Sequence, residues 1–144
     1  MFTLTNMHVN SPNFLAALEK LSSYSMPLKV SWNLGKIYKR CLKMKGETEE
    51  AYRKLLRDFF EADEAGNLIP AKDDDGKLIQ GRYEYKKDIE DVSTKWQASQ
   101  VEFMQTEFEI KAFKVKIEDL KDLNQKEINI DGASLSFLED IFED

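Results

Sequence analysis

The 144-residue chain predicts an α+β fold, mostly helical, and three observations carry that prediction. Leu34, Tyr38, Cys41, Lys45, Thr48, Tyr52, Leu55 and Phe59 step by four and three, as do Tyr85, Ile89, Val92, Trp96, Ser99 and Phe103. Such a stripe keeps one edge of a helix against a partner. Between the two runs lie Gly66-Asn67-Leu68-Ile69-Pro70 and Gly76-Lys77-Leu78-Ile79-Gln80, near copies around an Asp73-Asp74-Asp75-Gly76 turn. Beyond Glu107 the apolar period changes to two, the spacing of a strand. The expected architecture is an antiparallel long-helix hairpin over 31–105 with a β-hairpin tip at 66–81. A short C-terminal strand pair and a terminal helix fill 107–144.

In order along the chain, the stretch from Met1 to Asn10 is expected to be a mobile start. Ser11-Pro12 opens the first helix, with the hydroxyl as cap and proline in the first turn. Phe14, Leu15, Leu18 and Leu21 form its apolar stripe, and Ser22-Ser23 with Pro27 ends it. The second helix runs from near Ser31 to about Asp63. Gly46 in its middle costs about 1 kcal/mol against alanine, so a break there is the alternative. Glu47, Glu49 and Glu50 would suit the start of a separate helix. The third helix spans roughly Tyr83 to Gln105. Phe108 and Ile110 have one parity and Phe113, Val115 and Ile117 the other, which requires an irregularity near Lys111-Ala112. Ile128-Asn129-Ile130 is expected to pair with this strand, with Leu120 to Gln125 as the turn. Ser134 then caps a last helix carrying Leu135, Leu138, Ile141 and Phe142.

Length and composition fit a single domain over 1–144. A hydrophobic fraction of 42% with nine Phe, five Tyr and two Trp argues against disorder. One cysteine, Cys41, excludes an internal disulfide and a multi-cysteine zinc site. No run has the apolar length of a membrane span, and Met1–Asn10 lacks a basic region followed by an apolar block. A cytoplasmic compartment without membrane contact is the expectation. The net charge of −6 is uneven. Glu118 to Asp144 carries nine acids against Lys121 and Lys126, whereas Lys29, Lys36, Lys39, Arg40, Lys43 and Lys45 run without an acid until Glu47.

Motifs for chemistry are few. With Gly76 at the sixth position of a calcium loop, Asp73 and Asp75 fit, but Ala71 and Arg82 occupy the first and twelfth. A surface turn is the better reading. Cys41 falls on the core stripe, where a thiol acts as a small hydrophobe, and His8 is the only histidine. The glycines are isolated, and no phosphate-cradling loop occurs. A non-enzymatic protein without catalytic residues, metal or cofactor is expected.

Binding residues are more legible. Lys36, Lys39, Arg40 and Lys43 make a basic helix face that suits a host protein or a small anionic ligand, and Trp32, Tyr83 and Tyr85 can stack on a planar group. The acidic tail opposes direct nucleic-acid binding. Uncovered aromatic surface on the helical hairpin points to a homodimer or higher homo-oligomer.

Three stretches together carry a resemblance: Pro27-Leu28-Lys29-Val30 leading into Trp32-Asn33-Leu34-Gly35-Lys36-Ile37-Tyr38, the insert around Gly66-Asn67 and Asp75-Gly76, and Phe113-Lys114-Val115-Lys116-Ile117-Glu118-Asp119-Leu120. In that order they resemble small proteins of tailed bacteriophages and prophages, grouped as a family of unknown function. The likeness spans about Leu28 to Phe142, and it transfers no catalytic residues. It implies a phage accessory protein in the host cytoplasm, of the class that binds and blocks host factors, including defence components. The alternatives are a sponge for a nucleotide signal and a structural or assembly protein of the virion.

Overall fold

The computed structural model describes all residues from Met1 to Asp144. The fold is α+β and mostly helical, with five helices and two small antiparallel sheets. The chain forms two compact units, one of 1–48 with 104–144 and the other of 49–103. No helix is long and apolar enough to cross a membrane.

In the first unit, β1 (Phe2–Thr5) pairs antiparallel with β4 (Glu107–Ile110), with Leu4 opposite Phe108 and Phe2 opposite Ile110. The start of the chain is therefore ordered. It also takes the place beside β4 that Ile128-Asn129-Ile130 was expected to fill. Those three residues form no strand. Phe2-Thr3-Leu4-Thr5 alternates, and Leu4, Phe108 and Ile110 are buried on one face of the pair. β1 leads into a one-turn helix, α1 (Asn6–Val9).

The next helix, α2 (Pro12–Ser22), starts as its sequence requires, with the Ser11 hydroxyl accepting from the Phe14 N–H at 3.5 Å. Phe14, Leu15, Ala17, Leu18 and Leu21 bury one face. The long helix α3 (Leu28–Phe59) begins three residues before Ser31 and ends four before Asp63. It passes through Gly46 without a break, because the residues around that glycine keep helical phase and nothing competes for the backbone. Leu34, Ile37 and Cys41 on α3 are fully buried and join the core of the first unit. Burial pushes the Cys41 thiol pKa up to about 12 against a small opposing pull from Arg40.

The C-terminal part of this unit departs from the alternating reading. β4 stops at Ile110, and of the second parity set only Val115 is buried, while Phe113 and Ile117 are 75% and 61% exposed. Val115 is held by hydrogen bonds to the last residues: its N–H donates to the Ile141 carbonyl at 2.8 Å, and the Glu143 N–H donates to its carbonyl at 2.9 Å. The terminal helix α5 (Gly132–Phe137) is capped by Asp131 rather than Ser134, because the Asp131 carboxylate accepts from both the Ser134 N–H and hydroxyl. Lys20 bonds the same carboxylate, and these contacts hold its pKa well below the usual carboxylate range. A 3-10 turn at Glu139–Ile141 follows, and Leu138 and Ile141 are fully buried.

The second unit contains the last part of α3, β2 (Pro70–Lys72), β3 (Leu78–Tyr83) and all but the last two residues of α4 (Val92–Gln105). β2 and β3 form the expected hairpin. The third helix starts at Val92 and not at Tyr83: Tyr83 ends β3, Tyr85 bridges to Phe60, and the chain turns at Asp91 with φ 51°. Val92, Trp96, Ser99 and Phe103 of the second stripe are helical, and Tyr85 and Ile89 are not. The helical hairpin is thus short. Tyr52 lies 5.5 Å from Phe103 between ring centroids, and Phe59 lies 5.7 Å from Trp96, which sets the two helices antiparallel.

One turn design occurs three times, at Asp63, Asp73 and Asp122. In each, one carboxylate oxygen accepts the N–H groups two and four residues ahead, at 2.8–3.0 Å. The residue three ahead lies in the left-handed region: Gly66 at φ 84°, Gly76 at 79° and Gln125 at 63°. Asp73 is therefore a turn residue whose carboxylate serves the backbone.

Candidate functional site

Two of the exposed apolar side chains of the first unit stand where α3 begins. Trp32 is 65% exposed and Leu28 84% exposed, one helical turn apart on α3. Neither lies on the stripe of Leu34, Ile37 and Cys41, so both face outward. Trp32 and Phe113 line one cleft of about 660 Å³ together with Val30, Asn33 and Val115.

Backbone hydrogen bonds place each wall. The Val30 and Ser31 N–H groups donate to the Pro27 carbonyl at 3.0 Å, which starts α3 at the cleft's edge. Across the cleft, Asn33 clips the backbone of residue 113. Its Nδ2 donates to the Phe113 carbonyl at 2.7 Å, and its Oδ1 accepts from the Phe113 N–H at 3.0 Å. Both backbone polar groups of Phe113 are satisfied, so the chain holds an irregular conformation that presents the Phe113 ring to solvent. Val115, pinned by Ile141 and Glu143, anchors the same wall from behind.

Charge gives the cleft a sign. Lys29, Lys36, Lys114, Lys116 and Lys121 line it, against Glu118, Asp119 and Glu143. None of the five lysines takes part in an ion pair. The cleft is a locally positive region on a chain of net charge −6. Lys36 Nζ sits 3.8 Å from the centroid of the Trp32 ring, a cation–π contact that covers one indole face.

The seven residues read from the sequence separate. Trp32 and Lys36 meet in the cleft. Arg40 is tied to its own chain, its Nε donating to the Glu109 carbonyl at 3.2 Å and its guanidinium lying 5.8 Å from the Phe108 ring centroid. Lys43 stands 3.9 Å from Glu47 one turn along, and Lys39 is exposed. Tyr83 and Tyr85 belong to the second unit, where Tyr85 stacks on Phe60 at 4.8 Å and Tyr83 meets it edge-on at 6.0 Å. Sequence reasoning missed Phe113, Lys114 and Lys116, which it had assigned to a strand. Their signal was a phenylalanine with lysine two before and one after it, an unusual setting for a buried ring.

His8 also has a fixed setting. Its Nδ1 accepts the Thr5 N–H at 3.0 Å and lies 2.9 Å from the Thr5 hydroxyl, while Nε2 lies 2.7 Å from Asp140. Because a main-chain N–H points at Nδ1, that nitrogen is the acceptor, and Nε2–H donates to Asp140. Threonine, histidine and aspartate stand in the order of a hydrolase triad. However, the Thr5 hydroxyl accepts a backbone N–H in a capping box that starts α1. The arrangement ties the first helix to the C-terminal turn, and it leaves no free ring nitrogen to take a nucleophile's proton.

No family model, curated protein or solved structure matches the chain.

Proposed function

We propose that this chain is a non-enzymatic interaction protein, and that the face around Trp32 and Phe113 is its contact surface. The observation that carries the reading is the outward display of large apolar side chains beside unpaired lysines. Trp32, Phe113, Leu28 and Ile117 are each more than half exposed in a unit whose core is otherwise well filled. Clustered aromatic residues ringed by polar groups are the usual make-up of a protein-binding hot spot. Together with the resemblance to phage proteins, this supports a phage-derived accessory protein that occupies a host factor, a defence component included.

Capture from bacterial lysate tests the proposal, with the wild-type chain compared to a Trp32→Ala/Phe113→Ala variant. Both residues are exposed, so helicity by circular dichroism is expected to be unchanged. A host protein retained by the wild type and lost by the variant supports the reading. The same captured proteins in both samples would remove this face from the contact.

A second reading, a small-molecule binder, is favoured by one observation. A concave volume of about 660 Å³ lies within the ordinary range for ligand pockets.

A further inference from the structure

Resting on the interaction reading, the geometry points to the kind of partner: we infer that the cleft takes an acidic polypeptide segment that carries one apolar or aromatic anchor. The anchor sits between Trp32 and Phe113, and the segment's carboxylates meet Lys29, Lys36, Lys114 and Lys116.

Charge complementarity gives the sign. Five lysines without ion pairs line the cleft, and only three acids accompany them. A basic partner would leave those lysines opposed by like charge, and a neutral one would leave them desolvated and unpaired. The extent of the apolar surface gives the size. Leu28 and Ile117 lie outside the lining yet are 84% and 61% exposed, and each is close in sequence to lining residues. A small anion would fill the cleft and leave both uncovered. A polypeptide continues past its anchor and covers them.

The lysines' chemistry argues in the same direction. Lysine is a point charge on a flexible stem, whereas planar, two-pronged recognition of phosphate is the task of arginine. The cleft lining holds no arginine, and the nearby Arg40 is engaged with Glu109 and Phe108. Dispersed carboxylates suit four separate ammonium groups better than one compact phosphate chain does. Lys36 has a further part. It rests on the Trp32 indole in the free protein, and a carboxylate that draws it aside uncovers the ring for the anchor. Asn33 keeps the opposite ring in place throughout, since its two hydrogen bonds to residue 113 do not involve the Phe113 side chain.

The test is an NMR titration of the full chain that reads the Trp32 indole N–H and the Asn33 side-chain amide. The probes are a five-residue acetylated peptide with central phenylalanine flanked by glutamates, its counterparts flanked by lysines or serines, and ATP. The acidic peptide is expected to shift both resonances. Its affinity should fall at least about tenfold when salt rises from low to several hundred millimolar, and by a similar factor in Lys36→Glu/Lys114→Glu. The lysine peptide should leave the spectrum unchanged. Equal binding of the serine and glutamate peptides would overturn the charge assignment. ATP shifting these resonances where no peptide does would overturn the polypeptide assignment and transfer the site to a small ligand. If no probe moves them, the inference falls. The interaction function would still stand if lysate capture depended on Trp32 and Phe113.

Discussion

The first unit buries nineteen apolar side chains in one cluster, drawn from both ends of the chain, whereas the second buries Phe60 and Trp96 alone. The same helix serves both, and its stripe keeps phase from Leu34 to Phe59. What differs is the cover. On the first half of α3, Leu34, Ile37 and Cys41 join one continuous cluster of buried side chains from other elements, aliphatic for the most part. On the second half the stripe meets a loose aromatic cluster, in which Trp96 touches Tyr52, Phe59 and Phe60 at centroid distances of 6.0, 5.7 and 4.9 Å. A few large rings with edges left in solvent give a unit that opens at lower free energy than one with a continuous core. The cleft belongs to the well-filled unit, so its walls are held in place before any partner arrives. Such preorganisation spares the ordering cost of binding.

The sharpest way to break this comparison is Trp96→Ala. Removing the ring that the cluster shares is expected to cost about 3–5 kcal/mol. Hydrogen exchange should show protection lost in residues 60–103 and kept in α2. Protection lost equally in both units would mean that they unfold as one. Leu34→Ala acts on the other side, with an expected loss of about 2–5 kcal/mol in chemical denaturation and with melting of the first unit.

Cys41 sharpens the contrast without changing its packing. Its thiol is pushed up to about 12, so the folded chain keeps the proton that an unfolded chain begins to lose near the ordinary 9.0. The stability this gives is complete below that ordinary value and is lost as pH rises toward about 12. At pH 8 the folded protein should resist alkylation by iodoacetamide, and the alkylation rate should follow opening of the first unit only. Rapid labelling under native conditions would show that this core is less closed than its burial implies.

Two smaller effects test the local backbone. Gln125→Gly should stabilise by about 1 kcal/mol, because Gln125 alone fills with a side chain the left-handed position that Gly66 and Gly76 occupy in the other two turns. Gly46→Ala should add about 0.5–1 kcal/mol, since an added methyl meets no atom within 4 Å beyond its chain neighbours and the adjacent backbone of its own helix. A loss of stability at Gly46 would show that the long helix bends there in solution.

Elements with a strong local signal were legible in the sequence: the Ser11-Pro12 helix start, the stripe of α3 and the turn at Asp73. The failures share a cause. β1 is four residues whose partner, β4, is remote in sequence, and local pattern does not report such pairing. Tyr85 and Ile89 kept phase with Trp96 by coincidence, and only the backbone turn at Asp91 separates them from α4. The turn within Leu120 to Gln125 was legible as a turn, but its likeness to the turns at Asp63 and Asp73 was not, because Gln125 stands where the other two have glycine. Half of the candidate site was readable, as Trp32 lies off the core stripe and carries Lys36 one turn on. Its other half was hidden because Phe113 had the parity of a strand, and the Asn33 clip that turns it outward is a tertiary contact.

Hydrogen–deuterium exchange of the intact chain, resolved peptide by peptide, tests most directly whether a closed unit carrying the cleft is joined to a looser one. Amides of α2 and of residues 34–41 are expected to exchange orders of magnitude more slowly than those of α4 and of β2 and β3. Equal rates in the two units, or slower exchange in the second, would contradict it.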